Sequence, residues 1–332
     1  MDSPVALLAA DEPNSRISTG LPIRQDKTAS PVTLCDGTIV DLVTLNIEQL
    51  RELHWQQERA FARLVLDSPK GSRERSAAFA QGYDTVLSIL RRIINPGNGP
   101  LVMGLDPRYK QMVLDLLARR GAAAGRRPRL FEIGYASGML LAAANASGAE
   151  VAGIEVSDIM RRDACQQLPP EAHRRLYLGD FLTHDLDSVA GYYDLIYWND
   201  VIEHIPPDEI ADFLKKIHRL LAPGGCLVTI TPNWHMRPSD VTGDFRPPRT
   251  EAEGFHLKEY TLREATALLR STGFSRVATP LVLTRSRIVV CGTGLAGLKR
   301  LAEPLLEVLP FRLVQMCCIG FGLGCTIAKK AS

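Results

Sequence analysis

Residues 130–140 read Leu-Phe-Glu-Ile-Gly-Tyr-Ala-Ser-Gly-Met-Leu: an apolar strand ends in an acid, breaks at Gly134 and re-enters a helix through Gly138. A strand, a small-residue turn and a helix N-terminus in succession let backbone approach a ligand closely and aim unpaired N–H groups at it. A nucleotide-like cofactor is the natural occupant. Dinucleotide enzymes use the same architecture with Gly-x-Gly-x-x-Gly, whose third glycine follows the first by five. Here the small residues are Gly134, Ala136 and Gly138, so that spacing is missing and a dehydrogenase is disfavoured. Glu132, two residues ahead of the first glycine, would be poor company for a pyrophosphate and suits a cationic ligand instead. A second acid, Glu155, closes the short apolar strand 151–155 about twenty residues on, where a ribose diol would be held. A third, Asp180, closes the strand 176–180 and is followed by Phe181. Three acids, each at the carboxyl end of a successive predicted strand, mark the edge at which open α/β sheets bind ligands.

The stretch 132–138 resembles motif I of the class I S-adenosylmethionine (SAM) dependent methyltransferases, E/D-x-G-x-G-x-G, with Ala136 at the middle glycine. An alanine is expected to hold a negative φ there and to narrow the cofactor's slot slightly. Residues 193–205, Tyr-Asp-Leu-Ile-Tyr-Trp-Asn-Asp-Val-Ile-Glu-His-Ile, resemble motif IV of the same superfamily, F-D-x-I/V followed by D-V-L/I-E-H-I/V. The resemblance covers residues 100–284 and is nearest in pattern to small-molecule O-methyltransferases, including those acting on quinone precursors and sugars. It implies SAM as cofactor, with Glu132, Gly134, Ala136 and Gly138 forming its cradle and Glu155 accepting both ribose hydroxyls. It also implies that Asp180 accepts from the adenine amino group, that Phe181 packs on the ring, and that Asn199 and Asp200 lie beside the methionine moiety. Glu203 and His204 would point toward the methyl acceptor.

In that reaction the sulfonium carbon is already electrophilic, so the protein must align an acceptor oxygen and, for a hydroxyl, remove its proton. His204 is expected as the base, with His256 orienting the acceptor. The bland reading of His204 is a hydrogen-bonded histidine that caps its loop. A sharper variant makes Glu203, His204 and His256, with Asp200 as a further candidate, ligands of a divalent metal that lowers the acceptor hydroxyl's pKa. The D-x-x-E-H string resembles the E-x-x-E-H of metal-assisted members, both quinone-pathway enzymes and small-RNA terminal methyltransferases. Lys+Arg 39 against Asp+Glu 37 gives a near-neutral chain without a basic, aromatic-interleaved platform, so no nucleic acid partner is expected and a small-molecule acceptor is preferred. The rival class, a SAM-binding module without transfer activity, has only Tyr135 and Ala136 in its favour.

The elements that must position these residues follow from periodicity. Ile210, Phe213, Leu214, Ile217, Leu220 and Leu221 recur at helical spacing, and Pro223-Gly224-Gly225 is expected to stop that helix before a strand at 226–233. Thr261 and Glu264 form a capping-box pattern ahead of Leu262, Ala265, Leu268 and Leu269, and a strand is expected over 274–284. The alternation predicts an α/β, doubly wound domain with a helical N-terminal extension, and the resemblance implies that its sheet is Rossmann-like and seven-stranded with the last strand antiparallel. Residues 1–30, rich in Ser, Pro, Asp and Thr, are expected to be disordered. Residues 31–99 hold a hairpin around Asp36-Gly37, helices at 47–66 and 72–94 and a break at 95–99, read as a lid over the cofactor edge that helps choose the acceptor. Residues 100–332 form the SAM-binding methyltransferase domain.

Trp234, His235, Met236 and the loop 237–250 are expected to line the acceptor pocket, and the pairs Arg119-Arg120 and Arg126-Arg127 to be solvated. The apolar tail 305–328 contains Glu307, Pro310 and Arg312 and is expected to be buried, as a helix near 295–309 and a last strand within 319–329. Membrane contact through this C-terminal segment is possible on composition but not favoured. Seven cysteines lack a Cys-x-x-Cys pair, and residues 1–14 lack a basic n-region with a long apolar core, so a cytoplasmic location is expected.

Overall fold

A computed structural model describes residues 31–95, 106–284 and 287–332. The disorder expected of residues 1–30 and most of the break at 95–99 lie outside the described residues. Strands β1 (Val32–Thr33) and β2 (Ile39–Val40) form the expected hairpin, with Gly37 at φ 84. Helix α1 (Ile47–Asp67) opens on a reciprocal cap between Asn46 and Gln49, which satisfies two otherwise orphaned N–H donors, and α2 (Arg73–Ile94) opens on Ser72. Both match the periodicity to within a residue. Gly82 lets them close, because a Cβ there would stand 2.5 Å from the Phe255 ring and 3.0 Å from Phe61.

The main domain begins with α3 (Pro107–Ala124), β3 (Arg129–Ile133), α4 (Met139–Ala146), β4 (Glu150–Glu155), α5 (Asp158–Gln167), α6 (Pro170–His173) and β5 (Leu176–Leu178). It continues with β6 (Tyr193–Asn199), α7 (Ile210–Leu220), β7 (Leu221–Ile230), α8 (Leu262–Ser271) and β8 (Arg276–Ala278). Last come β9 (Leu281–Thr284), β10 (Arg287–Val289), α9 (Ala296–Ala302), α10 (Phe311–Phe321) and β11 (Cys325–Lys329). Seven strands form one sheet in the order β5-β4-β3-β6-β7-β11-β8, and β11 runs antiparallel to both neighbours, as expected.

Alternate residues of the central strands feed two separate cores, because successive side chains point to opposite faces of a sheet. Phe131, Ile196 and Trp198 pack under α7 and α8 with Leu214, Ile217 and Leu269. Leu130, Leu195 and Tyr197 pack under α3 and α4 with Met112, Leu117 and Leu141. Both faces are therefore covered, which explains why β3, β4 and β6 read as continuous apolar runs and not as alternating ones.

Four expectations need correction. The strand over 274–284 is broken at Pro280, which has no N–H to give a ladder: β8 stays in the main sheet and β9 leaves to pair with β10. Helix α7 ends at Leu220, ahead of Pro223-Gly224-Gly225, and Leu221 already pairs with Tyr193. Arg126 and Arg120 are not simply solvated: Arg126 donates to Asp194 Oδ2 and Oδ1 at 2.7 and 2.9 Å, and Arg120 to Oδ1 at 3.3 Å, clamping the start of β6. The tail does supply β11, yet α9, the turn 303–308 and α10 leave large apolar side chains exposed, Leu301, Val308 and Met316 among them. Among the described residues no helix is long and apolar enough to cross a membrane.

Candidate active site

The carboxyl ends of β3, β4, β5 and β6 open into one cavity of about 290 Å³, walled on the far side by α2. Glu132, Gly134, Ala136, Glu155, Asp180, Phe181, Asn199, Asp200 and His204 all line it. Gly138 stands just behind, at φ 76 as the left-handed N-cap of α4, where a Cβ would meet Ala164 Cβ at 2.9 Å. Gly134, at φ 68, leaves room that a Cβ would close against Val201 at 2.7 Å. The alanine expectation fails: Ala136 sits at φ 44. Its N–H must turn to donate to Glu155 Oε2 at 2.9 Å, and that bond together with the two flanking glycines imposes the left-handed conformation.

Glu155 is held by three backbone donors, Ala136, Val156 and Ser157, at 2.8 to 3.0 Å. Oε1 is filled by Val156 and Ser157, and Oε2, which takes only the Ala136 bond, retains a lone pair for a ligand. Burial nevertheless raises its pKa against those bonds. Asp180 accepts from Leu182 N at 2.7 Å and from Ser76 Oγ of α2 at 2.5 Å. Phe181 stacks obliquely on Phe213 at 5.1 Å and is 3% exposed, so its ring belongs to the core as well as to the cavity wall. Asn199 Nδ2 donates to Asp200 Oδ2 at 2.9 Å, and Asp200 takes a positive φ of 50 at the end of β6.

Glu132 and Tyr197 face each other across β3 and β6, and both Glu132 Oε2 and Tyr197 Oη are buried without a hydrogen-bond partner. Burial, and then the Glu155 charge, push the Glu132 carboxyl well above the ordinary range. Unpaired buried polar atoms are costly and invite an occupant. Six acids line the cavity, counting Glu58 and Glu209, and among the described residues no Lys or Arg does. The site therefore fits a cationic ligand with an ammonium and a ribose far better than a pyrophosphate.

A short turn, Ile202–His204, follows β6, and the loop 255–260 crosses it, pinned by Lys258 N donating to Glu203 O and by a bridge between Asn233 and Tyr260. His204 Nδ1 lies 2.9 Å from Phe255 O; a carbonyl only accepts, so Nδ1 carries the proton and Nε2 keeps its lone pair. Burial, with His256 adding to it, pushes the His204 pKa down to about 3. His256 Nδ1 lies 2.9 Å from Glu259 Oε1. Burial opposes its charge, but the Glu259 bond and the charges of Glu203 and Asp240 override it and raise the pKa to about 9. Glu203, fully buried, accepts from Thr231 Oγ1 at 2.9 Å through Oε2 while Oε1 has no partner, and burial beside Asp200 lifts it to about 8. Burial likewise raises Asp200 to about 6, with His256 opposing.

The structure brings Glu203, His204 and His256 together, with one ligand atom from each within 4.8 Å of the others. It does not bring Trp234, His235, Met236 or the loop 237–250 to the cavity. Those residues serve the tail instead: Arg237 stacks over Trp234 at 3.3 Å and, with His235, pairs with Glu307. The rest of the cavity wall is built by residues that the sequence placed in the core or did not single out: Glu58 of α1, Phe79 and Tyr83 of α2, and Phe255. Tyr83 and Phe255 stack at 5.2 Å, and Tyr83 meets the His204 ring edge-on at 5.6 Å. Two signals were available, the i, i+4 aromatic pair Phe79 and Tyr83 and the His256-x-x-Glu259 spacing.

Comparison with known proteins gives three results. The chain matches the family described as methyltransferase domain over residues 106–279. No curated protein matches it. Among solved structures it is similar to a SAM-dependent methyltransferase from Archaeoglobus fulgidus, 17% identical over 67% of this chain and 94% of that one, TM-score 0.41. It is also similar to a magnesium protoporphyrin IX methyltransferase from Synechocystis, 20% identical over 64% and 95%, TM-score 0.40. A third is phosphoethanolamine N-methyltransferase 2 from Haemonchus contortus, 15% identical over 68% and 58%, TM-score 0.40. The seven-stranded sheet with one antiparallel strand, the acid-lined cavity at its carboxyl edge and the family match lead to one conclusion: the chain belongs to the methyltransferase-domain family and is a SAM-dependent methyltransferase.

Proposed function

We propose that the chain methylates a hydroxyl group of a small acceptor whose body is largely apolar and aromatic. The observation that carries this reading is the placement of His204, neutral and fixed in tautomer, beside the aromatic wall of Phe79, Tyr83 and Phe255. Glu155 would hold the cofactor's ribose, Asp180 the adenine amino group, Glu132 the ammonium end, and the turn Gly134, Ala136 and Gly138 the backbone slot. When bound, SAM supplies an electrophilic methyl carbon on a sulfonium. Helix α2 acts as the lid: Ser76 reaches Asp180, and Asp84 accepts from Ser157 Oγ at 2.5 Å, so both ends of the nucleoside site are latched to it. His204 Nε2 takes the acceptor proton, and protonated His256 donates a hydrogen bond that orients the acceptor oxygen. An acidic cavity with aromatic walls has no counter-charge for a phosphate, which weighs against an RNA acceptor.

The test is labelled-SAM transfer to cell-extract fractions, with the product analysed for an O-methyl group, and His204→Ala as control. The reading requires the variant to lose at least about a hundredfold in maximal rate, the lower end of what a positioned base contributes. A maximal rate within a few-fold of the parent, or an N-methyl product, overturns it.

A second reading is favoured by a specific observation. Both imidazoles have Nδ1 tied, to Phe255 O and to Glu259, and Glu203 Oε1 has no partner, so three donor atoms converge without competing bonds. Histidines oriented by an outer carboxylate or carbonyl are characteristic metal ligands. Under this reading Glu203, His204 and His256 hold a divalent cation that acidifies the acceptor hydroxyl. Dialysis against chelator decides: loss of turnover restored by added divalent ion supports it, and full activity after chelation removes it.

A further inference from the structure

Ten of the eighteen large apolar side chains exposed among the described residues fall between residues 283 and 321. Eight of them stand on three successive elements of the tail. Leu301 on α9 and Leu305 and Val308 on the following turn are 79%, 65% and 81% exposed, and Met316, Ile319 and Phe321 on α10 are 68%, 52% and 58% exposed. Helix α10 buries Val314 and Cys318 on its inner stripe, so its outer stripe is a second apolar face with nothing packed on it. A helix apolar on both faces belongs inside a protein or against another apolar phase.

The unpaired charges beside this face are of one sign. The two acids of the segment 287–325 are both engaged: buried Glu303 accepts from Asn233 Nδ2, Leu262 N and Arg263 N, and Glu307, though partly exposed, is neutralised by Arg237 and His235. Arg312 stands exposed on α10, and Arg300 on α9 lies close enough to Arg270 to feel its charge. An apolar face edged by unopposed arginines matches the acyl boundary and anionic headgroups of a bilayer. A second copy related by a two-fold axis would set this basic edge against itself.

We propose that α9, the turn 303–308 and α10 form a membrane-docking face that lies on an anionic lipid surface without crossing it. The expectation that the tail is simply buried fails on this face, because its inner stripe alone is needed to cover Leu262 and Leu323. The proposal is independent of which acceptor is methylated.

The test is flotation of the full chain with vesicles of phosphatidylcholine alone and of phosphatidylcholine mixed with phosphatidylglycerol. The parent is expected to float with the mixed vesicles, less with the neutral ones, and to be partly released by salt. The triple variant Leu301→Glu, Val308→Glu, Met316→Glu changes only highly exposed positions. It is expected to float at least tenfold less with an unchanged thermal midpoint, while Ile39→Glu, on the distant hairpin, floats like the parent. Failure of the parent to float, or equal flotation of parent and triple variant, overturns the proposal. So does a concentration-dependent dimer that the triple variant abolishes while neither protein binds vesicles; that result gives the face to a second copy.

Discussion

Ala136→Gly separates strain from packing at the cofactor turn. Ala136 holds φ 44 between two glycines that are also left-handed, with its N–H bonded to Glu155 Oε2 at 2.9 Å. An L-residue in that region costs about 1–2 kcal/mol. Glycine removes this cost but gives the unfolded chain more freedom, which takes back about 0.4–1 kcal/mol. The substitution should therefore leave the chain as stable or stabilise it by up to about 1.5 kcal/mol. The opposite change at the next small residue, Gly138→Ala, should be costly. It places an alanine at φ 76 with its Cβ 2.9 Å from Ala164 Cβ and 3.2 Å from Ala164 Cα. Backbone strain and overpacking together come to about 2–5 kcal/mol. Equilibrium urea unfolding reads both as midpoint shifts at constant slope. If Ala136→Gly destabilises by 1 kcal/mol or more, or Gly138→Ala is neutral, the turn does not have this conformation and the cradle argument falls with it.

Three further outcomes follow from the same geometry. Burial, and then the Glu155 charge, raise the Glu132 carboxyl well above the ordinary range, and an ammonium beside it favours the ionised form, so SAM binding should release a proton and tighten as pH rises toward the raised pKa. Calorimetry in buffers of different ionisation enthalpy measures this release, and Glu132→Gln should abolish it. Glu307 is depressed to about 2, first by its bond to Arg237 and then by His235. Its stabilisation is therefore present above the unfolded value near 4.5 and lost as pH falls from there toward 2. Because the carboxylate is 41% exposed, screening limits the effect to a fraction of a kcal/mol, and Glu307→Gln should flatten that part of the pH–stability curve; an unchanged slope would contradict the pairing. Tyr83→Ala removes the ring between Phe255 and His204 and should raise KM for the acceptor at least tenfold while leaving SAM affinity within a few-fold. Equal losses for both ligands would mean that Tyr83 does not belong to the acceptor's part of the cavity.

Local, short-range physics was legible in the sequence. The capping box at Thr261 and Glu264, the apolar stripe of α7, the hairpin at Gly37 and the strand-end acids Glu132, Glu155 and Asp180 stand where periodicity and turn chemistry put them. What failed depends on partners distant in sequence. Phe79 and Tyr83 have the spacing of ordinary core residues, and only the fold of α2 over the sheet edge makes them a cavity wall. Trp234, His235 and Met236 follow a strand on the binding edge, the usual place for acceptor contacts, but the tail claims them through Glu307 and α10. The φ of Ala136 was misjudged because residue type argued for a negative value while the Glu155 bond and two neighbouring glycines imposed the opposite.

The central claim is that the strand-end carboxylates form a site for a cationic nucleoside. Isothermal titration of the purified full chain with SAM and, separately, with NAD tests it most directly. Saturable binding of SAM that Glu155→Ala weakens at least tenfold, with no heat from NAD, is the predicted result. Tight binding of NAD with no response to SAM would contradict it.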